Sequence, residues 1–108
     1  MDLKQILDDH RLWLNAKGGA KADLRGANLR GADLRLVDLR EASLSGADLQ
    51  GANLQGANLS ETSLSGAKLY AADLSGTNFY EANLIGTDLS GAIIALTPEV
   101  MKALGLKS

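Results

Sequence analysis

The sequence predicts an all-β solenoid, a coil of square cross-section with a short helix at each end. Three observations carry this reading. A large apolar residue recurs at every fifth position, a small residue stands two places before it, and a slower period of twenty residues overlies the first. A helix turns about 100° per residue, so every fifth side chain would wander around all its sides. A strand alternates, so an odd spacing would send successive leucines to opposite faces. The chain must therefore change direction once per pentad. If each bend turns the same way, every large residue can point to one axis.

The large residues, taken as pentad centres, are Leu24, Leu29, Leu34, Leu39, Leu44, Leu49, Leu54, Leu59, Leu64, Leu69, Leu74, Phe79, Leu84, Leu89 and Ile94, without insertion. These form the expected core. The residue before each centre is mostly Asp, Asn or Ser, types that hydrogen-bond a local turn. The residue two after is mostly Gly, which accepts positive φ at a corner. Glu41, Glu61 and Glu81 interrupt the glycines at twenty-residue intervals, and Lys21 holds the same phase one period earlier. Twenty residues are four pentads, which gives the coil four sides.

The runs "ADLRG", "ANLRG", "ADLQG" and "ANLQG" resemble the pentapeptide-repeat family, over about residues 20 to 96. The resemblance implies a right-handed quadrilateral β-helix, here of just under four coils. It also implies that the centre and the residue two before it point inward, and that the other three positions point outward.

A stacked coil exposes backbone at both ends, so solenoids need caps. Residues 1–19 read as an N-terminal capping helix and linker. Leu3, Ile6, Leu7, His10, Trp13 and Leu14 fall at helical spacing. Asp2 with Gln5 resembles a capping box, and Gly18-Gly19 marks the stop. Residues 20–96 are the repeat body. Residues 97–108 read as a C-terminal capping helix, with Thr97 as N-cap, Pro98 in the first turn and Gly105 at the stop. Its apolar stripe is Val100, Met101 and Leu104.

Composition narrows the function. The 108 residues carry a net charge of −2, no Cys, one His and only 4% aromatic residues. Such a charge implies no general attraction to nucleic acid or acidic lipid, so direct nucleic-acid binding is not expected. Without Cys there is no thiolate nucleophile and no Cys-ligated metal. His10, with no second His or Cys, is expected to pack within the first helix rather than to bind metal. Trp13 is expected to anchor the same helix. "GANLRGAD" has the glycine spacing that opens a phosphate loop, but lacks the Lys-Ser/Thr ending. No catalytic residue, cofactor, metal or small-molecule substrate is expected. No apolar run is long enough to span a bilayer, and the N-terminus lacks the features of a secretory signal. The expected place is the cytoplasm and the expected state a monomer.

The outward positions supply the candidate partner surface. Arg25, Arg30, Arg35 and Arg40 follow successive centres, so in a four-sided coil they form a belt rather than a stripe. Pairing with Asp23, Asp33 and Asp38 is their expected role. Residues 21 to 40 carry a net +2, and residues 41 to 96 a net −5. Glu41, Glu61 and Glu81 should stack along one edge. Tyr70 and Tyr80, two pentads apart, fall on opposite sides. Tyr80 and Ile85 are outward on adjacent sides, as an apolar contact in the C-terminal half. These features point to a non-catalytic rigid scaffold or protein-interaction module, whose partner the sequence does not name. The family resemblance implies an alternative, a DNA mimic that binds a type II topoisomerase, DNA gyrase. Short length, an arginine belt, a helix at each end and small net charge all depart from that pattern.

Overall fold

The computed structural model describes residues 1–106. Lys107 and Ser108, the last two residues of the C-terminal segment, lie outside the described residues. Helix α1 spans Leu3–Leu14, the repeats follow, and helix α2 spans Pro98–Ala103. The described chain measures 39 × 25 × 21 Å, its two short dimensions nearly equal.

Sequence dictates where α1 begins and ends. The Asp2 side chain accepts a hydrogen bond from the Gln5 N–H at 3.0 Å, which satisfies one of the free donors of the first turn. After Asn15 the backbone enters positive φ at Ala16, Gly18 and Gly19. Gly19 is required there. A Cβ would collide with the Asp9 carbonyl, against which the chain doubles back through the Ala20 N–H, 3.2 Å from the same oxygen.

In the coil, parallel bridges join residues twenty apart, from Asp23 with Ser43 to Asp73 with Ile93. A turn follows each centre from Leu24 to Leu89, so twenty residues make four sides. The β-character is finer-grained than expected. No side among the described residues is a regular strand, because only the residue before each centre pairs in this way before the chain bends again.

One inner pentad shows why five residue types suffice. Ala57 N–H closes the turn to the Leu54 carbonyl at 3.0 Å, and Asn58 N–H reaches back one coil to Val37 O at 2.8 Å. Leu59 and Glu61 N–H reach forward to Asn78 O and Tyr80 O, each at 2.8 Å. Ser60 N–H is taken by the Asn58 side chain at 3.1 Å. All five donors are used without water, which a buried backbone demands. The corner residue alone has positive φ in a turn closed by a bond from the fourth residue to the first. That is a type II turn, and it explains the glycine column.

The centres Leu24 to Leu74, with Phe79 and Leu84, are buried, and most of the small residues two places before them are buried too. Thr62 joins this column because its hydroxyl donates to the Leu39 carbonyl at 3.0 Å. Leu89 and Ile94, expected in the core, are only half-buried. No further coil stacks on them. Helix α2 crosses this end instead, with Thr97 accepting from the Val100 N–H at 3.2 Å and the Ala103 carbonyl accepting from the Leu84 N–H at 2.8 Å. Val100 and Ala103 are its buried residues, while Met101 and Leu104 are half-buried. The sequence stripe missed Ala103, which lies one turn after Val100.

Candidate interaction surface

The three outward residues of a pentad are set by its turn. The residue before the centre is anchored in eleven pentads, where an Asp or Asn Oδ1 accepts from the N–H two residues on. Ser43 and Ser63 make no such bond. Ser63 Oγ instead meets Ser45 Oγ at 2.8 Å, and Ser65 Oγ donates to Ser45 Oγ at 3.2 Å, tying two coils on one face.

The arginine belt is internally paired. Arg25, Arg35 and Arg40 each follow an Asp centre-minus-one residue and grip it as a fork. Nε and Nη2 of Arg25 lie 2.8 and 2.7 Å from the two oxygens of Asp23. The corresponding distances are 2.9 and 2.8 Å for Arg35 with Asp33, and the same for Arg40 with Asp38. Arg25 holds the Asp23 carboxyl down to about 2, and Arg35 does the same to Asp33. Arg40 lowers Asp38 in the same way. Arg30 follows Asn28 and has no carboxylate of its own, so it reaches Asp48 in the next coil at 3.8 Å.

Glu41, Glu61 and Glu81 occupy one corner edge, with backbone φ of 65°, 59° and 58°. Leu36 and Ala71 share this left-handed conformation at other edges. A side chain there is strained by crowding of Cβ against the backbone. Glu81 Oε1 lies 3.3 Å from Lys102 Nζ on α2. Leu36 is 80% exposed and lies against Gly56, the next corner of its own edge.

Large apolar residues gather around the last coil. Tyr80, Ile85, Ile93 and Leu96 are exposed there, while Tyr70 is exposed singly on the side opposite Tyr80. Ile93 and Leu96 went unmarked in the sequence reading, although each stands at an outward phase. Two clefts flank α2. One, of about 270 Å³, is lined by Tyr80, Glu81, Ala82, Pro98, Glu99, Lys102 and Ala103. The other, about 440 Å³, lies between the Leu74–Phe79 segment and the Ile93–Val100 segment. Among the described residues no group of three His, Asp or Glu is placed to hold a metal ion, and no helix is long and apolar enough to cross a membrane.

A four-sided coil with a large apolar residue, mostly leucine, at each centre defines a repeat solenoid. The pentapeptide-repeat pattern matches residues 20–56 and 57–94 in eight copies, so the chain belongs to the pentapeptide-repeat proteins and its solenoid is a right-handed β-helix. It is similar to the pentapeptide-repeat protein Rfr23 of the cyanobacterium Cyanothece 51142, at 37% identity and a TM-score of 0.67, over 71% of this chain and 53% of that one. The chain thus spans about half the length of Rfr23. It also resembles alr5209, a pentapeptide-repeat protein of Nostoc PCC 7120, at 36% identity over 79% of this chain and 71% of that one, with a TM-score of 0.43. QnrB1, a plasmid-mediated fluoroquinolone resistance protein, is 24% identical over 72% of this chain and 50% of its own, with a TM-score of 0.38. No curated protein sequence matches the chain significantly.

Proposed function

We propose that the protein is a non-catalytic, bacterial, cytoplasmic interaction module that works as a monomer. Residues 20–96 form a rigid body of just under four coils, and segments 1–19 and 97–108 cap its ends. The observation that carries this reading is the distribution of exposed apolar side chains. The second coil presents bonded Asp, Asn and Ser together with Gln, whereas Tyr80, Ile85, Ile93 and Leu96 are exposed toward the C-terminal end; Leu36 and Tyr70 are exposed singly elsewhere. Apolar side chains clustered toward one end of the rod are the pattern of a protein-binding surface. Tyr80 and Ile85 are its centre, with Glu81 and Lys102 at the rim.

The acidic edge of Glu41, Glu61 and Glu81 is the second candidate contact. The arginine belt is not one, because Arg25, Arg35 and Arg40 are paired with Asp23, Asp33 and Asp38, and Arg30 leans toward Asp48. The same pairing speaks against the topoisomerase-binding reading. A cationic group on each side of the first coil interrupts any continuous acidic face.

Affinity capture from source-cell lysate tests the proposal, using wild type, Tyr80→Ser/Ile85→Ser and Arg25→Ser/Arg35→Ser. A saturable partner retained by the arginine variant and lost by the Tyr80/Ile85 variant is the expected result. A partner lost only with the arginines would move the surface to the belt. Recovery of gyrase subunits would instead favour the DNA-mimic reading.

A further inference from the structure

Leu3, Ile6 and Leu7 of α1 pack against the core, and one imidazole makes the buried polar contact between this helix and the N-terminal end of the coil. His10 is fully buried. Its Nδ1 lies 2.9 Å from the Ala22 N–H, and its Nε2 lies 2.9 Å from the Arg40 carbonyl. An N–H can only donate, so Nδ1 is the acceptor and carries no proton. The proton must then be on Nε2, where it is given to Arg40 O. The geometry requires a neutral imidazole in one tautomer.

These two bonds replace two that the repeat makes elsewhere on the same edge. In the inner coils the corner residue reaches forward, Glu41 N–H to Ser60 O at 3.1 Å and Glu61 N–H to Tyr80 O at 2.8 Å. The next residue closes the turn, Ala42 N–H to Leu39 O at 3.0 Å and Thr62 N–H to Leu59 O at 3.2 Å. In the first coil Arg40 O stands where Ser60 O stands in the second, and Ala22 N–H where Ala42 N–H does. The imidazole serves both, so α1 is keyed to the coil by a ring that mimics a missing corner. Trp13 stacks on that ring with centroids 5.6 Å apart, and Lys21 Nζ lies 5.7 Å from the Trp13 ring centroid.

We propose that His10 is a protonation-controlled latch on α1. A proton on Nδ1 would face the Ala22 N–H donor to donor at a ring that bulk solvent does not reach. Once α1 is released, the imidazole takes that proton with no such conflict, so acid favours release and docking weakens as pH falls. The charged groups of this interface are Asp8, Asp9 and Arg11 on α1, and Lys21, Asp38, Arg40 and Glu41 on the first coil. Asp38 opposes release, since its carboxylate attracts an imidazolium. Its two oxygens are already gripped by Arg40. Release bares the backbone edge of the first coil, the kind of edge that pairs with other chains.

The test follows the full chain from pH 8 to pH 5 by three readouts: imidazole nitrogen NMR, Trp13 emission, and Ala22 amide exchange corrected for its intrinsic pH dependence. The expected result is a proton on Nε2 alone at pH 8. Acid should then bring a red shift of Trp13 and a rise in Ala22 exchange of about tenfold or more, both tracking His10 protonation. His10→Gln, which donates and accepts without titrating, should show neither change. A proton on Nδ1 at pH 8 overturns the latch. So does an imidazole that stays neutral to pH 5, or one that titrates while Trp13 and Ala22 stay unmoved. A pH transition that survives in His10→Gln overturns it as well. If His10→Gln does not fold, the three wild-type readouts decide alone.

Discussion

Leu54 and Leu89 occupy the same phase of the same repeat, yet Leu54 is fully buried and Leu89 half-exposed. Their own pentads differ little. What differs is the stacking: Leu54 lies between two coils, whereas Leu89 has one coil below it and no further coil above, at an end that α2 covers only in part. A pentad therefore does not bury its own centre. Burial belongs to whatever stacks on the pentad, a neighbouring coil or, at Leu84, helix α2, as expected of a repeat array whose stability is a sum of nearest-neighbour terms.

The largest effect that tests this contrast is truncation of the two leucines. Leu54→Ala should cost about 3–4 kcal/mol, since it removes a buried side chain and leaves a cavity closed on both sides. Leu89→Ala should cost roughly 1–2 kcal/mol, because solvent already reaches that site. Urea unfolding of both variants measures the difference. Equal costs would mean that the end coil is covered in solution.

The corners sharpen the contrast, because their strain is local. Glu41 and Glu81 both hold positive φ. Replacing either by Gly should stabilise the fold by about 1 kcal/mol. The gain should be alike at both positions, since the exposed Glu81–Lys102 pair adds little. Unequal gains in the same urea series would show that stacking sets corner strain as well. A smaller local test uses the side-chain turn bonds. Asn58→Ala and Asn83→Ala each free one backbone N–H, that of Ser60 and that of Ile85. Both should cost about 1 kcal/mol or less, regardless of coil.

The same division decides what could be read in the sequence. Whatever a pentad does for itself is written in it: inward Leu, turn-bonding Asp or Asn, glycine at a left-handed corner. Even the arginine pairing is legible, because Asp two places before Arg yields a fork and Asn28 before Arg30 does not. What depends on a neighbouring coil or helix is not. Nothing in "GANLQ", around Leu54, or "GTDLS", around Leu89, shows that one leucine is enclosed and the other is not. Helical spacing put His10 on the apolar stripe, but its two backbone partners lie 12 and 30 residues away. Leu36 reads as an ordinary apolar residue until the corner phase places it in solvent.

The arginine–aspartate forks give the smallest effect and a definite sign. Asp23 and Asp33 titrate near 2 in the folded chain, against about 3.9 when unfolded. Between these values the unfolded chain binds more protons. The pairs' contribution is therefore present above about pH 4 and lost as pH falls from about 4 to about 2. Asp73 and Asp88, lowered by bonds from Ser75 and Ser90, lose theirs in the same direction. Asp23→Asn/Asp33→Asn should flatten the fall of the urea midpoint with acid, without abolishing it. Both carboxylates lie in water, with side-chain exposures of 58% and 62%. Added salt should therefore erase most of the difference between variant and wild type. A difference that persists in high salt would show that the forks act through geometry, by fixing the turn, rather than through charge.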